Sequence, residues 1–190
     1  NRDEKSSYVT VGTQSKKALV ERLKEKFVDE ANSIWNLNHK GIVRVSDVFE
    51  ENGTAYYVMD YIEGESLEEK IKDKVNLSEE ETLIYVRQVA DTLSYIHSKN
   101  ILHLDLKPDN IMIDGEDNAI LIDFGLSKQF DENGDPESST TIGQGTPGYA
   151  PIEQSSYKWS GFPVTMDIYA LGATIYKMLV GKSPETSSVL

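Results

Sequence analysis

The sequence predicts an α+β fold in which strands and helices segregate along the chain. Three observations carry this. Two separated stretches repeat apolar residues every three to four positions, two pairs of short β-like or apolar runs flank Asn-Gly or Asp-Gly, and one late stretch is apolar nearly all round. The resulting order is helix, hairpin, helix, hairpin, long loop, helix. It lacks the strand–helix alternation of a parallel sheet.

Each element has a local reason. Residues 1–15 are polar, with one β-like run, Tyr8-Val9-Thr10-Val11. From about Lys16, Leu19, Leu23, Phe27, Ala31 and Ile34 form the stripe of an amphipathic helix. Ile42 to Phe49 and Ala55 to Met59 follow as β-like runs, separated by Glu51-Asn52-Gly53-Thr54, a hairpin signal. Ser78 with Glu81 makes a capping box for a second helix, striped by Leu83, Val86, Ala90, Leu93 and Ile96. Ile111 to Ile113 and Ala119 to Ile122 flank Asp114-Gly115 as another hairpin. Residues 126–149, rich in Ser, Thr, Gly, Asp and Glu, read as one long functional loop. Thr165 to Val180 reads as a buried helix.

The 190 residues contain no cysteine, which excludes disulfide scaffolds, thiolate zinc sites and cysteine nucleophiles. A net charge of −13 argues against partners with phosphate backbones or anionic lipid surfaces. No signal peptide opens the chain, and the apolar stretch around Ile168 to Tyr176 is too short to span a bilayer. The expected location is cytoplasmic, with no nucleic-acid or membrane contact from this segment.

The chemistry concentrates in His103-Leu104-Asp105-Leu106-Lys107-Pro108-Asp109-Asn110, followed thirteen residues later by Asp123-Phe124-Gly125. Asp105, Asn110 and Asp123 carry the oxygen ligands that hard divalent cations such as Mg²⁺ take, with phosphates and waters completing the shell. Lys107 can place a positive charge beside a transferring phosphoryl group, a reaction that needs mainly positioning and charge neutralisation. Asn110 or Asp123 taken singly also reads as a turn residue.

This stretch resembles the catalytic loop and D-F-G motif of protein kinases. Further resemblances fall in order: Glu30 to the helix-C glutamate, Tyr57 to Gly64 to the last N-lobe strand and hinge, Gly145 to Gln154 to the end of the activation segment, and Asp167 to Gly172 to the start of helix F. The Gly145–Gln154 segment is most similar to that of eukaryotic-type kinases from bacteria. Together they cover roughly residues 18–185 and identify a member of the eukaryotic-type Ser/Thr kinase family.

The resemblance implies ATP and Mg²⁺ as cofactors and a protein Ser or Thr hydroxyl as acceptor. Asp105 would be the catalytic base, Lys107 would meet the γ-phosphate, and Thr146 would partner the aspartate. Asn110 and Asp123 would hold Mg²⁺. Asp60 and Ile62 would present hinge backbone groups to adenine, with Met59 as gatekeeper; Leu67 and Met112 would contact the adenine-side apolar spine, a core role being equally open for Leu67. His103 and Phe124 would stack with Ile34 and Val45.

Four departures qualify the match. Gly12 is the only glycine before Gly41, so no Gly-rich phosphate loop precedes Glu30. No lysine lies in a Val-Ala-Ile-Lys-like strand. No arginine follows Arg87, leaving Glu153 without the partner it has in the family. Leu104 replaces the arginine that grips an activation-loop phosphate, so activity is expected not to depend on phosphorylation at Ser138, Ser139, Thr140 or Thr141. The expected division is residues 1–61 as an N-lobe remnant and 62–190 as a partial, mainly helical C-lobe. The expectation is a kinase truncated at both ends, inactive as this piece and prone to self-association through exposed faces of the last helix. The alternatives are a non-catalytic kinase-like scaffold and a small-molecule kinase. Retention of Asp105, Asn110 and Asp123 argues against the first, and Lys107-Pro108 with Gly145–Gln154 against the second.

Overall fold

The computed structural model describes residues 14–124, 128–129, 145–155 and 163–186. The chain forms two compact units, one of Asn1–Leu37 with Arg44–Asp60 and the other of Asn38–Val43 with Tyr61–Leu190.

In the first unit, helix α1 (Gln14–Trp35) packs on an antiparallel hairpin of β1 (Val45–Glu51) and β2 (Thr54–Met59). The Phe27 and Tyr57 rings meet at 4.8 Å between centroids, and Lys24 pairs with Glu50 at 2.9 Å. Asn52 and Gly53 both have positive φ, 53° and 74°, as a two-residue turn matched to the twist of its strands requires. Of the expected helix stripe, Ala31 and Ile34 are buried, but Leu19 and Leu23 are each 56% exposed.

The second unit begins with β3 (Gly64–Ser66), helix α2 (Leu67–Lys74) and helix α3 (Glu79–His97). It continues through β4 (Ile101–Leu102), β5 (Ile111–Asp114), β6 (Ala119–Leu121), β7 (Lys128–Gln129) and helix α4 (Thr165–Val180). Strands β3, β5 and β6 form one antiparallel sheet with β5 central, and β4 pairs with β7. Capping boxes open both α2, through Ser66 and Glu69, and α3, through Ser78 and Glu81. Leu67, the first residue of α2, is fully buried.

The structure adds α2, β3 and the β4–β7 pairing to the expected elements. Helix α2 is eight residues long, too short for its period to stand out beside the hinge-like run before it. Strand β7 lies inside the stretch expected to be loop; residues 125–127 and 130–144, including Ser138, Ser139, Thr140 and Thr141, fall outside the described residues.

Residues 38–43 belong to the second unit. They are tied there by backbone bonds from Val43 N–H to Leu121 and from Leu121 N–H to Gly41, both 2.9 Å, and by Asn38 N–H to the Tyr95 hydroxyl at 2.9 Å.

The buried face of α3 is also rotated from the expected one. Thr82, Tyr85, Val89, Thr92, Leu93 and Ile96 point inward, while Leu83 is 44% exposed. A stripe read from aliphatic residues misses buried hydroxyl-bearing residues, of which Tyr85 and Thr92 have a partner. Tyr85 donates to Asp117 at 2.8 Å, and Thr92 donates to the Gln88 carbonyl at 3.0 Å. Helix α4 has the expected bounds and buries Met166, Asp167, Ala170, Leu171, Thr174 and Met178. Ile168, Tyr169, Tyr176, Leu179 and Val180 are exposed. Among the described residues no helix is long and apolar enough to cross a membrane.

Candidate active site

The segment between β4 and β5 does not follow a regular ladder, so its polar backbone groups need partners from elsewhere. Leu104 takes a left-handed φ of 63°, which costs an L-residue about 1–2 kcal/mol. Its N–H donates to Asp167 Oδ1 at 2.9 Å, and the N–H of His103 donates to Asp167 Oδ2, also at 2.9 Å. Asp167 is fully buried near the start of α4, and His97 Nε2 lies 2.7 Å from its Oδ2. A buried carboxylate is tolerated only with such partners. The turn therefore leaves Asp105 displayed beyond a fixed base.

Four of the sequence-derived site residues meet at the Asp105 carboxylate, Asp105 itself included. Thr146 Oγ1 donates to Oδ1 at 2.6 Å, Lys107 Nζ to Oδ2 at 2.8 Å, and Asn110 Nδ2 to Oδ2 at 3.2 Å. Asn110 Nδ2 also bonds the Asp105 carbonyl at 2.9 Å, and Lys107 reaches the Thr146 hydroxyl at 2.8 Å. Lys107 is thus a bridge between loop and Gly145–Gln154 segment. Pro108 opens a short 3₁₀ turn through Asn110, which closes it with a backbone bond to Lys107 at 3.0 Å.

Asp123 belongs to the same end of the β5–β6 hairpin. Ile111 pairs with Leu121, and the Ile122 N–H donates to the Asn110 carbonyl at 3.2 Å. Asn110 and Asp123 thus leave the hairpin side by side, with Asp123 exposed. Among the described residues no three His, Asp or Glu side chains are grouped to hold a metal by themselves.

His103 is buried and its ring lies 4.9 Å from that of Phe124. Its Nδ1 accepts the Asp105 N–H at 3.4 Å, whereas its Nε2 has no partner among the described residues. Burial lowers the pKa of this imidazole, and the carboxylates of Asp167, Asp105 and Asp123 only partly oppose that.

The hinge-like residues are divided between the two units. Asp60 closes the first, exposed, its N–H bonded to the Arg44 carbonyl at 2.9 Å. Ile62 lies in the second, two residues before β3, and β3 pairs Ser66 with Met112 of β5. Met112 is half-buried on the face of β5 opposite Ile111 and Ile113. The Glu30 side chain lies outside what the structure describes.

Two participants escape a reading of the sequence. Asp167 is legible there only as part of a motif, although a lone acid in an apolar helix signals a buried structural role. Gln154 is 4% exposed and donates from Nε2 to the Leu104 carbonyl at 2.6 Å.

A protein kinase domain family model matches residues 2–188. The chain belongs to the protein kinase domain family. Serine/threonine-protein kinase Sgk1 from Xenopus tropicalis is 33% identical over 186 residues, covering 97% of this chain and 43% of that protein. Sgk1 from Danio rerio is 34% identical over 184 residues, covering 96% and 41%. Myosin light chain kinase 3 from Danio rerio is 32% identical, covering 95% and 25%. This kinase domain chain therefore spans less than half the length of these relatives.

In this kinase domain the described residues do not saturate the Asp105 carboxylate. A carboxylate offers about four acceptor sites. Thr146 takes one on Oδ1, and Lys107 and Asn110 take two on Oδ2. Among the described residues, one site on Oδ1 is left open.

Proposed function

We propose that this kinase domain carries the catalytic centre for ATP-dependent phosphoryl transfer to Ser or Thr hydroxyls of protein substrates. The observation that carries the reading is the convergence of Thr146, Lys107 and Asn110 on one Asp105 carboxylate. Asp105 would accept the proton of the substrate hydroxyl at the open site of Oδ1 as the substrate oxygen bonds to the γ-phosphorus and the bond from that phosphorus to the β,γ-bridging oxygen breaks, with ADP leaving. Lys107 would hold positive charge beside the oxygens where negative charge collects.

Asn110 and Asp123 fit Mg²⁺. Asn110 spends Nδ2 on Asp105, an arrangement in which Oδ1 can serve a hard cation, and Asp123 is an exposed carboxylate at the same hairpin end. Two protein oxygens suit an ion that shares its shell with phosphates and water. Ile62 and Met112 would serve the adenine end. Bound Mg²⁺–ATP supplies the γ-phosphoryl group and neutralises its charge.

The test is labelled phosphoryl transfer from Mg²⁺–ATP to Ser-, Thr- and Tyr-containing peptides by the full-length protein. Transfer to Ser and Thr peptides, lost on Asp105→Asn, is the expected result. Nucleotide binding without transfer would instead identify a non-catalytic kinase-like module.

A further inference from the structure

We propose that Gln154 is the positioning residue that seats Thr146 on Asp105, an inference resting on the phosphoryl-transfer reading above. Its amide lies between two backbone segments, each one residue upstream of a partner in the 2.6 Å Thr146–Asp105 bond. On one side is Leu104, directly before Asp105, whose carbonyl accepts from Gln154 Nε2 at 2.6 Å. On the other is Gly145, directly before Thr146. A methyl group built on Gly145 would stand only 2.7 Å from Gln154 Nε2 and 2.7 Å from the Ala150 Cβ. Gly145 also has a φ of 64°, so lack of a side chain serves both its conformation and this close approach.

Leu104 shows why a donor is needed at this point. Its left-handed backbone is outside any ladder, and the residue is buried. Asp167 takes its N–H and Gln154 serves its carbonyl, so two side chains from distant segments satisfy one strained residue. Gln154 is itself fixed, its N–H bonded to the Pro151 carbonyl at 3.1 Å. The same amide that completes Leu104 therefore sets the distance between the Asp105 loop and the Thr146 segment. An aliphatic residue of similar size would fill the space but leave the carbonyl unpaired and the two segments untied.

The test compares Gln154→Met and Gln154→Glu with wild type in the full-length protein. Gln154→Met should lower kcat for peptide phosphorylation about tenfold, the effect of one lost buried hydrogen bond, with the KM for ATP within about twofold. In a Thr146→Val background the same substitution should add little, because its effect runs through that bond. Gln154→Glu should recover activity as pH falls, since the protonated carboxyl donates to the carbonyl and the ionised form repels it. Amide exchange at residues 103–106 and 145–150 should quicken in Gln154→Met whether or not the protein turns over, which separates failure of this inference from failure of the kinase reading. Unchanged exchange, a loss fully additive with Thr146→Val, or a Gln154→Glu defect indifferent to pH would overturn it. If Gln154→Met fails to fold, the pH profile of Gln154→Glu decides.

Discussion

Asp167, buried in helix α4, holds Leu104 in its left-handed conformation by accepting the Leu104 N–H at 2.9 Å. One carboxylate thereby couples helix α4 to the residue that precedes Asp105. The partners are 63 residues apart, and the second oxygen of the same group serves His103 and His97.

Asp167→Ala should destabilise the fold more than His97→Ala. It strands two buried N–H groups, each costing about 1–3 kcal/mol, and removes the partner of His97. Chemical denaturation should show a loss of about 3 kcal/mol or more, against a smaller loss for His97→Ala, whose side chain is nearer solvent. Equal losses for the two would show that the backbone bonds contribute nothing.

Thr146→Val keeps the volume of the side chain and deletes the hydroxyl between Lys107 and Asp105. Peptide phosphorylation should fall about tenfold, Thr146→Ser should retain most activity, and Asp105→Asn should cost about 10²–10⁴. Steady-state kinetics on the three variants checks the order.

Acid should destabilise the fold through His103. Its folded pKa is lowered from 6.5 by burial, so the unfolded chain binds a proton that the folded chain refuses. Its contribution is complete above about pH 6.5 and declines as pH falls below that value. Unfolding free energies measured from mildly alkaline to mildly acidic pH should fall for wild type and flatten for His103→Phe.

A separate loss should appear at lower pH through Glu81. Its pKa is lowered from 4.5 to about 2, first by the Lys74 ammonium, then by the backbone N–H and hydroxyl of Ser78. A depressed acid stabilises above its unfolded value, so this contribution disappears as pH falls from 4.5 to about 2. Ser78→Ala, which breaks the capping box, should cost about 1 kcal/mol near neutral pH. Urea unfolding of the variant across pH measures both effects.

The turn at Asn52-Gly53, the cap at Ser78 and the bounds of α4 are legible in the sequence, because neighbouring residues decide them. So is the spacing from Asp105 to Asp123 that marks the family. The face of α3 is not, because burial of Thr82, Tyr85 and Thr92 depends on what packs opposite them. Nor is helix α2, which is only eight residues long and begins just after the hinge-like run Tyr57–Gly64.

By itself the sequence determined the local elements, the family and the chemical types at Asp105, Lys107, Asn110, Asp123 and Thr146. Only the tertiary structure decided that Asp167 and Gln154 complete the site, and that residues 38–43 join the second unit. The physical reason is range. Caps and turns are settled by bonds within a few residues, whereas Thr146, Gln154 and Asp167 meet the Asp105 loop across 41, 50 and 63 residues. No period or spacing records such a meeting. It follows from how α4 and the segment before it pack against the loop, and from the need of a strained, buried Leu104 for a partner at each end of its backbone.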